Sequence, residues 1–234
     1  MYKVLIPLPI HPSGTRYLRE RGYEVVENTP TDEESMKRLI ADADAAIIKG
    51  TPITEAILKA GKPRLKLIAR HGIGCDNVDI KAATKQGVWV TITPKASVGS
   101  VAEHTVCLML ALAKQVRQGD YYMRQGRWMD FRRDFMGVEL NRSVLGLVGV
   151  GRIGTEVAKI AAQGFGMKVL AYDAYAPEGS LYSGITRVKS LEELLPNSDF
   201  VSIHFPLTEE TRESIGQEFF QQMKPTAFLI NTAR

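Results

Sequence analysis

Short apolar runs alternate with amphipathic stretches from the first residues onward: "KVLIPL", "SGTRYLRERG", "YEVVE", "DEESMKRLIADA", "AAIIKG", "TEAILKAG", "LKLIAR" and "WVTIT". Val- and Ile-rich runs separated by helical patterns predict parallel strands with helices laid on the sheet faces. Gly22, Gly61 and Gly87 stand where the helices should end, since a glycine accepts the left-handed conformation that closes a helix. Pro94 interrupts this pattern, and "SVGSVAEHTVCLMLALAKQVRQGDYYMRQGRW" reads as one long helical stretch opened by serine. The alternation then resumes with "SVLGLVGVGRIGTEVAKIAAQGFGMKVLAYD", "SLEELLPNSDFVSIHFP" and "ESIGQEFFQQMKPTAFLIN". A second series after a long helix predicts a second domain. The expected fold class is α/β with two parallel sheets, divided as residues 1–96 and 97–234.

The length of 234 residues fits that division, because domains usually run to about 100–200 residues. Lys and Arg exceed Asp and Glu by a net charge of +4, but no long run of like charges forms a nucleic-acid arm. The densest basic stretch, "RQGRWMDFRRDF", is diluted by its aspartates and reads as solvated surface. A mild positive field of this kind favours a small anionic substrate. Cys75 and Cys107 form neither a CxxC pair nor a disulfide framework, which points to a reducing, cytoplasmic setting and to no metal. The longest uncharged apolar run, "TVCLMLALA", is nine residues, short of the ~20 that span a bilayer. "MYKVLIPLPI" lacks the basic stretch and long apolar core of a signal peptide.

Candidate chemistry begins at "VLGLVGVGRIG". Gly149, Gly151 and Gly154 follow an apolar strand in G-x-G-x-x-G spacing and open a helix, with Arg152 and Ile153 between the last two. Gly149 permits a tight turn, Gly151 lets a pyrophosphate approach the backbone, and Gly154 lets helix pack on strand. The same glycines also suit any crowded strand-to-helix turn. Asp173 ends the next strand 19 positions beyond Gly154, close to the ~20 expected of an acid on the ribose hydroxyls. A helix cap or turn residue is the other reading of Asp173. Ala174 and Tyr175 follow it rather than arginine, so a 2′-phosphate would be repelled with nothing adjacent to neutralise it. NAD is therefore expected over NADP.

With "RHGIGCDNVD", "SVAEHTVCLMLALAK", "VGVGRIG", "HFPLTEETRESI" and "INTAR" in this order, the chain resembles the D-isomer-specific 2-hydroxyacid dehydrogenases, over nearly its whole length. The resemblance implies a flavodoxin-like substrate domain followed by a Rossmann-type dinucleotide domain. It implies that backbone amides of Gly72, Ile73 and Gly74 hold a substrate carboxylate, and that Asn77 braces their loop. Lys49 is either a contact for a second anionic group or a solvated lysine. Val101 corresponds to the apolar wall beside the nicotinamide. His204, Phe205, Pro206 and Thr211 correspond to cofactor-lining residues, as do Thr232 and Ala233. His204 stands at a strand end, yet the resemblance makes it part of the cofactor site rather than the proton donor. Glu103 and His104 are adjacent on a helix and cannot face each other; they read as packing or hinge residues. Cys75 with His71 has no third group to orient a nucleophile pair.

Arg234 matches the family's catalytic arginine, whose fork of donors grips the substrate's carboxylate and polarises its carbonyl. In the family, further strands, a glutamate, an acid/base histidine and a last helix follow that arginine. The expectation is therefore a C-terminally incomplete dinucleotide domain and at most trace activity for this chain. The implied function is an NAD-dependent interconversion of a D-2-hydroxy acid and its 2-keto acid, of phosphoglycerate or hydroxypyruvate type. An NAD-sensing, corepressor-like binding module on the same fold is the alternative. The helix from Ser97 to Gln115, apolar on more than one face, needs more cover than one domain supplies. The family commonly dimerises through this element, so a homodimer is expected.

Overall fold

The computed structural model describes residues 1–177 and 182–233, which divide into two compact units, Met1–Ser97 and Val98–Arg234. The first contains β1 (Lys3–Ile6), α1 (Pro12–Glu20), β2 (Glu24–Glu27), α2 (Glu33–Ala41), β3 (Ala45–Ile48), α3 (Glu55–Ala60), β4 (Leu67–Arg70), α4 (Ile80–Gln86) and β5 (Trp89–Ile92). Its helices start on polar caps: Asp32 accepts from the Ser35 amide, Thr54 from Ile57 and Asp79 from Ala82. Each cap satisfies an amide that the first helical turn leaves without a partner. Gly87 ends α4 at φ 70°, where any other residue carries a steric penalty. The strands are all parallel in the order β2-β1-β3-β4-β5, the flavodoxin-like arrangement. Leu5, Met36, Ile40, Ile48, Ile57 and Ile68 form its buried centre.

The second unit opens with α5 (Val98–Ala113), α6 (Val116–Arg124) and α7 (Trp128–Asp134). The single long helical stretch expected from the sequence is thus three helices. Gln115 turns left-handed at φ 48° and Gly126 does so at φ 69°, and each such residue ends the right-handed ladder. β6 (Val144–Val148) then leads into α8 (Arg152–Lys159), which continues as a π turn over Ile160–Gly164. β7 (Lys168–Tyr172), β8 (Ile185–Arg187), α9 (Leu191–Leu194) with a 3-10 turn to Asn197, β9 (Phe200–Ile203), α10 (Gln217–Gln222) and β10 (Phe228–Asn231) complete it. The five strands are again parallel, ordered β10-β9-β6-β7-β8. The first strand of the unit is central and the chain reverses direction across it, the Rossmann arrangement. Leu145, Leu147, Val157, Val169 and Phe200 are fully buried there beneath α5 and α8. No helix of the described residues is long and apolar enough to cross a membrane.

Candidate functional site

The turn after β6 is built by what its glycines leave out. Gly149 has φ 92°, and a side-chain carbon there would lie 2.8 Å from the Phe205 amide nitrogen and 2.9 Å from the His204 carbonyl carbon. At Gly154 the added carbon would lie 2.5 Å from the Gly149 carbonyl oxygen. Both glycines are therefore demanded by protein packing. Gly151 is different: an added carbon meets nothing within 4 Å, so no protein atom explains its smallness. Its φ of −70° suits any residue. The space it leaves open lies at the start of α8, where no side chain caps the helix. Uncapped amides and the positive end of the helix dipole form an anion site of the kind that holds a pyrophosphate. Arg152 is exposed at the first residue of that helix and Ile153 packs partly against the core.

Asp173 reaches this turn directly. Its Oδ2 accepts from the Val150 amide at 2.7 Å, and its Oδ1 accepts from the Tyr175 and Ala176 amides at 2.9 Å each. Burial alone would raise its pKa, but these three amides and the Arg187 guanidinium outweigh that and hold it below the ordinary carboxylate range. Both sequence readings of Asp173 thus describe it: it orders its own turn and it faces the glycine loop. One expectation needs correcting. Asp173 is not without a neighbouring cation, because Arg187 on β8 donates Nη2 to its carbonyl oxygen at 3.2 Å.

The segment after β9 forms the opposite wall. The His204 amide donates to the Val148 carbonyl at 2.8 Å, and its ring Nε2 lies 2.9 Å from the Ser202 hydroxyl. Burial lowers the His204 pKa to about 4, so the ring is neutral at neutral pH and is no proton reservoir there. Phe205 is half-buried and Pro206 exposed. Thr211 is a strut for its own loop: its hydroxyl donates to the Pro206 carbonyl at 2.7 Å and accepts from the Thr208 amide at 2.8 Å. After β10, the Thr232 hydroxyl lies 2.9 Å from that of Thr105, which donates to the Val101 carbonyl at 2.8 Å. Val101, Thr105 and Thr232 are thereby drawn together, while Ala233 donates its amide to Asn231 at 2.9 Å. Glu103 and His104 are exposed on α5 rather than packed. Arg234 lies outside the described residues.

In the first unit, the loop after β4 is ordered by a residue the sequence reading left without a role. Arg70 is 7% exposed. Its Nε donates to the Gly74 carbonyl at 2.8 Å and its Nη1 to the His71 carbonyl. Gly72 has φ 141° and lies against this guanidinium with no room for a side chain. Its amide donates to the Thr93 hydroxyl at 2.8 Å. The Ile73 and Gly74 amides bond to no other described residue. Asn77 braces the neighbouring loop by donating to the carbonyls of Thr51 at 2.8 Å and Lys49 at 3.2 Å. Lys49 donates to the Pro9 carbonyl at 3.1 Å. No hydrogen bond joins Cys75 to His71 among the described residues; the Cys75 thiol points at the Ile73 carbonyl instead.

Arg70, Thr93, Thr105 and Arg187 are the residues that sequence reasoning missed. A charge at the end of an apolar strand and a hydroxyl inside "TVCLMLALA" were signals for Arg70 and Thr105. Nothing local marked the other two.

The glycine turn, the helix start and Asp173 stand at the carboxyl ends of β6 and β7, where the strand order reverses. That is the crevice in which open α/β sheets bind nucleotides, so the second unit is a dinucleotide-binding protein of Rossmann type. Residues 106–234 match the family model described as D-isomer specific 2-hydroxyacid dehydrogenase, NAD binding domain. The chain is 39% identical to the D-3-phosphoglycerate dehydrogenase of Methanocaldococcus jannaschii, covering 100% of this chain and 44% of that protein. It is 38% identical to the hydroxypyruvate reductase of Thermotoga maritima, covering 100% of this chain and 74% of the relative. NAD+-bound 3-phosphoglycerate dehydrogenase from Entamoeba histolytica superposes with a TM-score of 0.81 at 31% identity, over 100% of this chain and 72% of that one. The chain belongs to the D-isomer specific 2-hydroxyacid dehydrogenase family, and its cofactor is NAD. It spans less than half the length of several phosphoglycerate dehydrogenases that it matches, 37% to 44%.

Proposed function

We propose that residues 97–234 bind NAD(H) for hydride exchange between a D-2-hydroxy acid and its 2-keto acid, and that residues 1–96 hold the acid. The observation that carries the cofactor site is Gly151: its missing side chain serves no protein contact and opens the start of α8. In this reading the amides of that helix start and Arg152 hold the pyrophosphate, with Ile153 beside them. Asp173 accepts from an adenosine ribose hydroxyl with the lone pair its three amides leave. Val101, His204, Phe205, Pro206, Thr232 and Ala233 line the remainder, and Thr211 keeps the 206–211 loop in shape. Bound NAD supplies the hydride acceptor and NADH the donor. Replacing Gly151 with Val tests this, because the new side chain starts from a Cβ that meets no protein atom within 4 Å and occupies the space opened at the start of α8. NADH affinity measured by calorimetry should fall at least about a hundredfold with the melting temperature unchanged; retained affinity would sink the site.

The substrate class rests on the loop after β4. Arg70 turns the carbonyls of His71 and Gly74 inward, and the Ile73 and Gly74 amides remain to meet a carboxylate. On the resemblance alone, Arg234 is the arginine that polarises the substrate carbonyl. His204 is neutral and walls the cofactor, so it is not the acid of this scheme. Phosphoglycerate- or hydroxypyruvate-type acids fit the names of the relatives. NADH oxidation with hydroxypyruvate, glyoxylate and 2-ketoglutarate is the corresponding assay, and consumption of the opposite enantiomer of the product in reverse would overturn the stereochemical reading. The corepressor-like alternative finds no support among the relatives named above.

A homodimer in the cytoplasm completes the proposal. Leu112 at the end of α5, Val116, Tyr121 and Met123 on α6, and Met129 and Met136 on and after α7 are exposed, apolar side chains that association would cover. Cys75 and Cys107 are unpaired, in keeping with a reducing compartment. Light scattering that finds only monomer at micromolar concentration would count against the dimer.

A further inference from the structure

β8 is the edge strand of the second sheet, and it runs parallel to β7 with Arg187 opposite Ala171. That register brings the Arg187 side chain to the carboxyl end of the sheet, two residues short of Asp173 on the neighbouring strand. Its Nη2 donates to the Asp173 carbonyl oxygen at 3.2 Å. The bond is long and its acceptor is neutral, so it holds the guanidinium weakly. Arg187 is exposed and free to pivot.

Among the described residues, the acids around Asp173 and Tyr175 are already engaged. The Asp173 carboxylate accepts from the Val150, Tyr175 and Ala176 amides. Glu210 accepts from the Tyr175 hydroxyl at 2.6 Å. Arg187 adds only charge to Asp173, whose hydrogen bonds come from three amides, so the guanidinium can be redirected without leaving a carboxylate unbonded. A phosphate monoester is a far better acceptor than a peptide carbonyl, because it is doubly charged and matches the planar fork bidentately.

The geometry points to Arg187 as the residue that sets discrimination between NAD and NADP: it offers the adenosine 2′-phosphate a cationic partner and admits NADP(H) as a second cofactor that Asp173 alone would repel. This rests on the cofactor site described above. The segment directly after Asp173 holds no cation, and the fold brings one from the next strand instead. The effect is confined to the 2′ position: a 2′-hydroxyl is met by Asp173, and a 2′-phosphate by Arg187.

Calorimetric titration of the 234-residue chain with NADH and with NADPH tests this. Arg187→Gln should leave NADH affinity within about twofold and weaken NADPH by about tenfold or more, the size of one charge-assisted hydrogen bond. Arg187→Lys should recover most of the NADPH affinity, and Arg187→Glu should widen the gap further. Asp173→Asn should tighten NADPH, and by less once Arg187→Gln is also present. Equal weakening of both cofactors by Arg187→Gln would show that the arginine only struts the backbone, and no change in either would show an uninvolved surface residue. Either result overturns the proposal, as does an unmeasurable NADPH affinity in a parent chain that binds NADH. Loss of NADH binding by Gly151→Val is a separate readout, so failure of the site and failure of this inference are told apart.

Discussion

Both units place a glycine loop at the carboxyl end of a parallel strand, yet they order it by opposite means. After β4 a buried cation, Arg70, collects the carbonyls of His71 and Gly74. After β6 an acid, Asp173, holds one amide of the turn, that of Val150, and the start of α8 carries no side-chain cap. The first loop is ordered from beneath by a side chain of its own strand, and the second from the side by a neighbouring strand. Their positions differ as well. The strand order reverses between β1 and β3 in the first unit, away from the loop after β4, but between β6 and β9 in the second, directly at the glycine turn. A glycine loop is thus only a permission, and what binds there depends on which groups of the loop the surrounding fold has already used.

The largest expected effect breaks the second loop. Gly149→Ala forces a side chain against the Phe205 amide at a φ of 92°, and should cost about 3 kcal/mol in urea unfolding. A loss below about 1 kcal/mol would show that the 204–205 segment yields. Arg70→Met breaks the first loop by leaving two carbonyls without their donor. We expect a loss of about 2 to 3 kcal/mol, with Arg70→Lys falling between the two, read by thermal or urea unfolding. Equal stability of Arg70→Met and the parent chain would refute the bracing role.

Acid should separate the loops next. His204 packs against the glycine turn and titrates at about 4 when folded against 6.5 for a free imidazole. Between those values the unfolded chain holds more protons than the folded one, so stability rises with pH across that window and is lost as pH falls through it. The loss should reach about 3 kcal/mol by pH 4, and His204→Gln should remove it from the urea midpoint measured against pH. A variant with the parent's full acid sensitivity would place the cause elsewhere. The smallest effect belongs to Thr105→Val, which removes the hydroxyl joining Val101 to Thr232. About 1 kcal/mol is expected, together with faster amide exchange in β10; unchanged exchange there would dismiss the link.

Much of this was legible along the chain. The alternation of apolar runs announced two parallel α/β units, because a strand buried on both faces and a helix laid over it leave different periods in the sequence. The spacing of Gly149, Gly151, Gly154 and Asp173 announced the tight turn after β6 and the helix that starts there, because turn sterics and strand length are local quantities. Gly87 announced a helix end for the same reason. Other features were decided only when the strands paired. That Gly72 spends its amide on Thr93, that Asp173 bonds Val150, and that Arg187 stands beside Asp173 all follow from register between strands, and register is a property of the assembled sheet. The break at Gln115 was hidden too, since glutamine carries no local preference for φ 48° and adopts it where tertiary packing repays the strain. The sequence by itself determined which elements form and where glycine is indispensable; the tertiary structure decided which backbone groups and charges are left to meet a ligand, because those remain only after every neighbouring strand has taken its partners.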